Sequence, residues 1–159
     1  MKKVFLTLML ICAAVTNAAD RFVTFKNGEA SFAIAKGGQV LNIVCDSEED
    51  AGVMMALQSL QADLKAVTGV EPQLGQTLHE RCIIVGSPKS PLIRQLIKSG
   101  KIQKKDIEGK REKYLLQIVD NPTAGVKEAL VIAGSDKRGT IYGIYELSRQ
   151  MGVSPWYWW

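Results

Sequence analysis

Seven carboxylates stand where acid–base chemistry could be staged: Asp46, Glu48, Glu49, Asp50, Asp120, Asp136 and Glu146. Two carboxyl groups facing one bond can share the work of general acid and general base. Asp46 and Asp136 each fall just past a predicted strand, where α/β proteins gather ligands. Helix capping and solvation account for all seven, so no catalytic residue is assigned. The one histidine, His79, lies in a polar stretch between elements and reads as solvated. No Gly-x-Ser-x-Gly nucleophile elbow occurs in the chain.

The segment Gly134-Ser-Asp-Lys-Arg-Gly139-Thr140 follows a predicted strand and opens a helix, as a phosphate loop does. A phosphate loop needs lysine directly after its second glycine, and Thr140 stands there instead. The structural reading is that Ser135 or Asp136 caps the helix. Gly139 and Gly143, four apart, then leave one helix face bare for close approach to a sheet or a neighbouring domain. Cys45 and Cys82 with His79 show no metal-ligand spacing. No metal and no cofactor is expected.

Several elements must position these groups. Phe22-Val23-Thr24-Phe25 and Ser31-Phe32-Ala33-Ile34 flank Asn27-Gly28, the pair that suits a tight hairpin turn. Residues 40–44 read as a buried strand. A helix is expected from Ser47, with Val53, Leu57, Leu60, Leu64 and Val67 at helical spacing and Gly69 as its stop. Cys82-Ile83-Ile84-Val85 reads as a second buried strand. Ser90-Pro91 opens a short helix closed by Gly100. Residues 114–119 and 129–133 suggest a second hairpin, and a last helix runs over about 136–150. The order predicts an α/β fold, a layered domain with a mixed β-sheet and flanking helices. If the strands bearing Cys45 and Cys82 are parallel neighbours, the thiols lie at opposite ends of the sheet. That exceeds the roughly 7 Å Cα limit for a bridge, so two buried free thiols and no disulfide are expected.

Lys2 and Lys3, an apolar run over 4–15 and the small residues up to Ala19 describe a signal peptide over 1–19. Ile11 before Cys12 is too bulky for lipoprotein processing. The run is too short to span a bilayer comfortably, so no membrane association is expected after cleavage. The protein is expected to be exported, to the periplasm or outside the cell. The chain carries 20 basic and 16 acidic residues, a net charge of +4. Without Lys2 and Lys3 it is +2, which is no nucleic-acid-binding balance.

All three tryptophans fall in the last four residues, Trp156, Tyr157, Trp158 and Trp159, straight after Pro155. Each such ring buries roughly 150–250 Å². On a free end they would form an apolar patch of interface size. The chain is therefore expected to continue, with the domain over 20–153 and a junction beginning at 154–159.

The stretch 131–159 resembles the end of the N-terminal domain of family 115 glycoside hydrolases, the xylan α-1,2-glucuronidases. A looser form, Gly-Ser-Asp before a helix bearing Gly-x-x-Tyr-Gly, also occurs before the barrel in family 67, 20 and 84 enzymes. The ending Gly-Val-Ser-Pro-Trp-Tyr-Trp-Trp points to family 115. The resemblance implies a domain of the type that precedes a catalytic (β/α)8 barrel, in an exported enzyme removing (4-O-methyl-)glucuronic acid from glucuronoxylan. It also implies inversion, with two carboxyl groups roughly 6.5–9.5 Å apart, and these belong to the barrel. Pro155, Trp156, Tyr157, Trp158 and Trp159 are then domain-junction residues. The implied partners are the chain's own downstream barrel, a xylan-type polysaccharide through the full enzyme, and a second copy in a homodimer of that enzyme. The alternative from the residues alone is a stand-alone exported carbohydrate-binding or scaffolding module.

Overall fold

Buried, β-branched runs build the centre of the domain. Ile43–Cys45 (β3), Arg81–Gly86 (β5) and Glu128–Gly134 (β7) lie side by side in parallel, their apolar residues covered on both faces. Such strands need helices above and below. Short Leu74–Gly75 (β4) pairs parallel with β3, and Tyr114–Asp120 (β6) pairs antiparallel with β7. The five-stranded sheet thus runs β4-β3-β5-β7-β6. The computed structural model describes residues 22–26, 28 and 31–154. The signal peptide expected over 1–19, Asn27 of the expected turn, and the expected junction residues Pro155, Trp156, Tyr157, Trp158 and Trp159 lie outside the described residues.

Ala51–Thr68 (α1) and Lys137–Gln150 (α4) cover one face. Val53, Leu57, Leu60 and Leu64 of α1 meet Ile144 and Leu147 of α4 over Ile43, Ile83 and Ile132. Pro91–Lys98 (α2) and Lys104–Ile107 (α3) cover the other face, where Ile93, Leu96 and Ile107 pack on Val44, Ile84 and Val131. The result is a three-layer α/β domain with a mixed sheet, as the element order implies. Gly69 ends α1 in the left-handed conformation (φ 77°), where glycine costs least.

Three expectations are corrected and two elements are added. The opening hairpin is not built from residues 22–25 and 31–34, which are irregular. It is Ala35–Lys36 (β1) with Gln39–Val40 (β2), joined by Gly37 and Gly38 at φ 59° and 76°. Two adjacent glycines supply the positive φ pair that a two-residue turn needs. The apolar side chains of the upstream segment, Val23, Phe32 and Ile34, instead strap the first core cluster. Residues 40–44 do not form one strand. Val40 pairs within the hairpin, Leu41 and Asn42 belong to neither ladder, and pairing in the main sheet starts at Ile43. Helix α1 starts at Ala51 with Asp50 as its cap, not at Ser47. Residues 46–49 form a turn that aims Glu49 inward. Finally, β4 and α3 are additions; each is too short to leave a periodic signal.

Candidate functional site at the strand ends

The parallel strands β3, β5 and β7 end together, at Cys45, Gly86 and Gly134. Asp46, Glu49, Asp50, Ser87, Asp136 and Lys137 therefore gather along one rim of the sheet. A strand order that reverses direction opens a ligand crevice at such a rim, so each group's hydrogen bonds decide what the rim can do.

Glu49 is buried. Its Oε1 accepts from the Ser87 backbone N–H at 2.7 Å and the Ser87 hydroxyl at 2.8 Å. The carboxylate thus staples the end of β5 to the turn after β3. Asp46 Oδ1 accepts from the Glu48 N–H at 3.0 Å and shapes that turn. Asp50 Oδ1 accepts from the Gly52 N–H at 2.9 Å, and its other oxygen lies 3.5 Å from Lys137 Nζ. Asp136 spans two elements: Oδ1 accepts from Gly139 N–H at 2.8 Å and Oδ2 from Glu112 N–H at 3.0 Å.

The backbone donors of a phosphate cradle are already engaged. The Gly139 N–H is held by Asp136, and the Thr140 N–H and hydroxyl both donate to the Asp136 carbonyl at 2.9 Å. A methyl group on Gly134 would overlap Thr140, and one on Gly139 would overlap the Lys113 carbonyl oxygen. The glycines serve close packing of α4 against the sheet, as the bare-face reading requires.

The remaining singled-out residues are scattered. Glu146 forms a bidentate pair with Arg149 (2.6 and 2.8 Å) on the outer side of α4. Asp120 ends β6, where its carbonyl accepts from Lys101 Nζ at 2.9 Å. His79 is exposed in the loop before β5, and Glu48 is exposed beside the rim. Among the described residues, no group of three or more His, Cys, Asp or Glu could hold a metal ion. Cys45 and Cys82 are free and buried, on opposite faces of the sheet. Burial, helped by the Glu49 and Asp46 carboxylates, pushes the Cys45 thiol up to about 12. It stays neutral and unreactive at ordinary pH. Sequence reasoning missed Ser87. Its only signal is a serine directly after a buried strand.

Two caps couple this rim to pH. Backbone N–H groups of Gly139 and then Glu112 hold the Asp136 carboxyl below its ordinary 3.8. The Gly52 N–H, and beyond it Lys137, do the same for Asp50. Carboxyls depressed in the folded state stabilise it fully above their unfolded pKa. That contribution fades as pH falls through the folded value. The denaturation midpoint is expected to drop as pH is lowered from about 5 toward 3. Asp136→Asn is expected to be less stable at neutral pH and to lose less on acidification. An unchanged acid slope in that variant would remove Asp136 from the account.

The rim and the layered sheet together define a three-layer α/β domain whose strand-end carboxylates mostly hold backbone. The chain belongs to the family described as the glycosyl hydrolase family 67 N-terminus, whose model matches residues 31–147. It is thus an N-terminal domain of the glycoside hydrolase type. Among solved structures it is similar to one titled a novel family GH115 4-O-methyl-alpha-glucuronidase, BtGH115A, with specificity for decorated arabinogalactans. The identity is 32% and the TM-score 0.61, over 75% of this chain and 14% of that one. The chain therefore spans about one-seventh of that protein's length. No curated protein matches the chain.

Proposed function

We propose that the chain is the N-terminal, non-catalytic part of an exported family 115 glycoside hydrolase. That enzyme removes (4-O-methyl-)glucuronic acid from plant polysaccharide with inversion. The observation that carries the reading is the 32% identity to BtGH115A over 75% of this chain. The ending Gly-Val-Ser-Pro-Trp-Tyr-Trp-Trp supports the same family. The strand-end rim supports a non-catalytic role, because Glu49, Asp50 and Asp136 are each committed to backbone N–H groups. In this reading the acid and base reside in a barrel downstream, with room for a water between them. Partner contacts are with that barrel and, through it, with uronate-decorated xylan or arabinogalactan.

The chain alone is expected to release no glucuronic acid from glucuronoxylan or arabinogalactan. A polypeptide extended past Trp159 by a barrel-sized segment is expected to release it. Turnover by the chain alone would place the chemistry inside the residues described above and overturn the proposal.

A further inference from the structure

At the end of the domain away from the carboxylate rim, where α1 and α4 finish, lies an open groove of about 570 Å³. Phe22 and Phe25 of the irregular N-terminal strap line it while 54% and 72% exposed, so their rings are open to a ligand. Phe32 lines it too, but its ring already carries the Arg81 guanidinium, 4.7 Å from its centre. The charged residues of the lining are Lys26 on the strap and Lys36 in β1, and no carboxylate lines the groove among the described residues. Both lysines are exposed, and neither side chain has an ion pair or hydrogen bond among the described residues. Gln39 adds a side-chain amide that is equally uncommitted. Open rings, two unpaired cations and a free amide along one concavity describe a ligand that is apolar on one face and anionic at intervals.

We infer that this groove binds an acidic polysaccharide, with sugar rings on Phe22 and Phe25 and uronate carboxylates at Lys26 and Lys36. The negative face of an aromatic ring attracts the polarised C–H bonds on the apolar face of a sugar. Lysine carries its charge on a flexible stem and meets a carboxylate without demanding one geometry, as a polymer with irregular decoration requires. The strap that bears the two rings is fixed to the domain, the Phe22 N–H donating to Gln150 Oε1 at 3.2 Å. Two separated cations match a chain on which uronates are occasional. A nucleic acid carries a charge at every phosphate and asks for a denser basic surface, which a net charge of +4 over 159 residues does not supply. A membrane surface selects the apolar face of an amphipathic helix, whereas Phe22 and Phe25 lie on irregular chain along a concavity. With no carboxylate in its lining, the groove holds polymer and does not cleave it. The choice of a uronate polymer rests on the proposed function; the pairing of rings with cations stands without it.

Native electrophoresis of the full chain in gels containing glucuronoxylan reads the binding. The expected result is retardation by glucuronoxylan, several-fold weaker once the carboxyl groups of the polymer are reduced to alcohols. Raising salt from about 0.05 to 0.5 M should weaken it further. Joint replacement Lys26→Ala and Lys36→Ala should lower the affinity about threefold or more, and Phe25→Ala should weaken binding several-fold. These positions are exposed, so circular dichroism should stay unchanged in both variants. Met55→Ala, on exposed helix surface outside the groove, should bind as the parent chain does. Four results would overturn the inference: no retardation by glucuronoxylan, equal retardation by the reduced polymer or by polyglutamate, retardation indifferent to both groove variants, or tighter binding of anionic phospholipid vesicles through the same residues. Glucuronic acid release by the extended polypeptide is a separate readout. A chain that fails to bind leaves that test of the proposed function intact, and an extended polypeptide without turnover leaves the binding result intact.

Discussion

Gly139→Ala is expected to lower the stability of the domain by about 3 kcal/mol or more, read as a fall in denaturation midpoint at unchanged slope. In an ordinary helix the same change gains roughly 1 kcal/mol, because alanine is the better helix former. Packing reverses the sign here. A methyl group at Gly139 would run into the Lys113 carbonyl oxygen, with the Lys113 carbonyl carbon at 3.0 Å and its nitrogen at 3.2 Å. These are backbone atoms, and Lys113 is held in place, its N–H donating to Ser135 Oγ at 3.0 Å and its carbonyl accepting from the Ser135 N–H at 2.8 Å. Nothing there turns aside cheaply, so the start of α4 must lift from β6. Gly143→Ala, one turn on, should cost less, about 1–2 kcal/mol. Its nearest neighbour is a side-chain methyl, Ile132 Cγ2 at 2.8 Å, which has rotamers to use. Gly52→Ala should come out near neutral, since it meets only the Asp50 carboxylate at 3.2 Å and Ile141 Cδ1 at 3.5 Å. An order other than Gly139, Gly143, Gly52 would mean that the α4–sheet contact is not what the glycines protect. For a domain whose whole stability is of order 5–15 kcal/mol, the Gly139 variant will populate unfolded chain and expose its apolar layers.

The glycine pair was legible in the sequence because spacing of four on a helix is a geometric statement that survives ignorance of the fold. The same holds for the buried strands β5 and β7 and the stripe of α1, whose periods are set by burial alone. Less legible was anything decided by competition between equivalent signals. Asn27-Gly28 and Gly37-Gly38 are both good turn pairs, and among the described residues only the second joins residues that pair in a ladder, Ala35 with Val40. Ser47 and Asp50 are both good caps, and the choice fell to Asp50 because Glu49 must reach Ser87, 38 residues away. That contact is long-range, and no local pattern encodes it. The candidate site followed the same rule. Asp136 as a cap was readable from position, whereas its second bond, to the Glu112 N–H, depends on a loop at φ 56° that sequence does not announce. The family-level reading survived at the level of a glycosidase N-terminal domain, whose family model spans 31–147 and so takes in Gly139 and Gly143.

Glu49→Ala should cost about 2–5 kcal/mol, because it strands two donors in a buried site. The Ser87 N–H and hydroxyl both end on one carboxylate oxygen, and the fold encloses them between β3, β5 and α2. Hydrogen bonds to an ionised acceptor are the stronger kind, and an unsatisfied buried donor costs more than the bond itself gains. Glu49→Gln keeps an acceptor of the same shape and should recover about half of the loss. Ser87→Ala removes the hydroxyl and leaves the N–H, so on its own it should cost roughly 1 kcal/mol. In the double variant the losses should fall short of additive by about 1 kcal/mol, the signature of a shared bond. These magnitudes separate two roles for a buried carboxylate at a strand-end rim. A staple gives the graded stability series Ala, Gln, wild type, with the cycle to Ser87 non-additive. A group kept for acid–base chemistry would instead be released by substitution, leaving stability unchanged or raised while the activity of the extended enzyme is lost. Measured on the chain and on the extended polypeptide side by side, Glu49→Gln therefore decides whether this domain contributes chemistry or only shape: retained turnover with a lowered midpoint assigns the carboxylate to the fold.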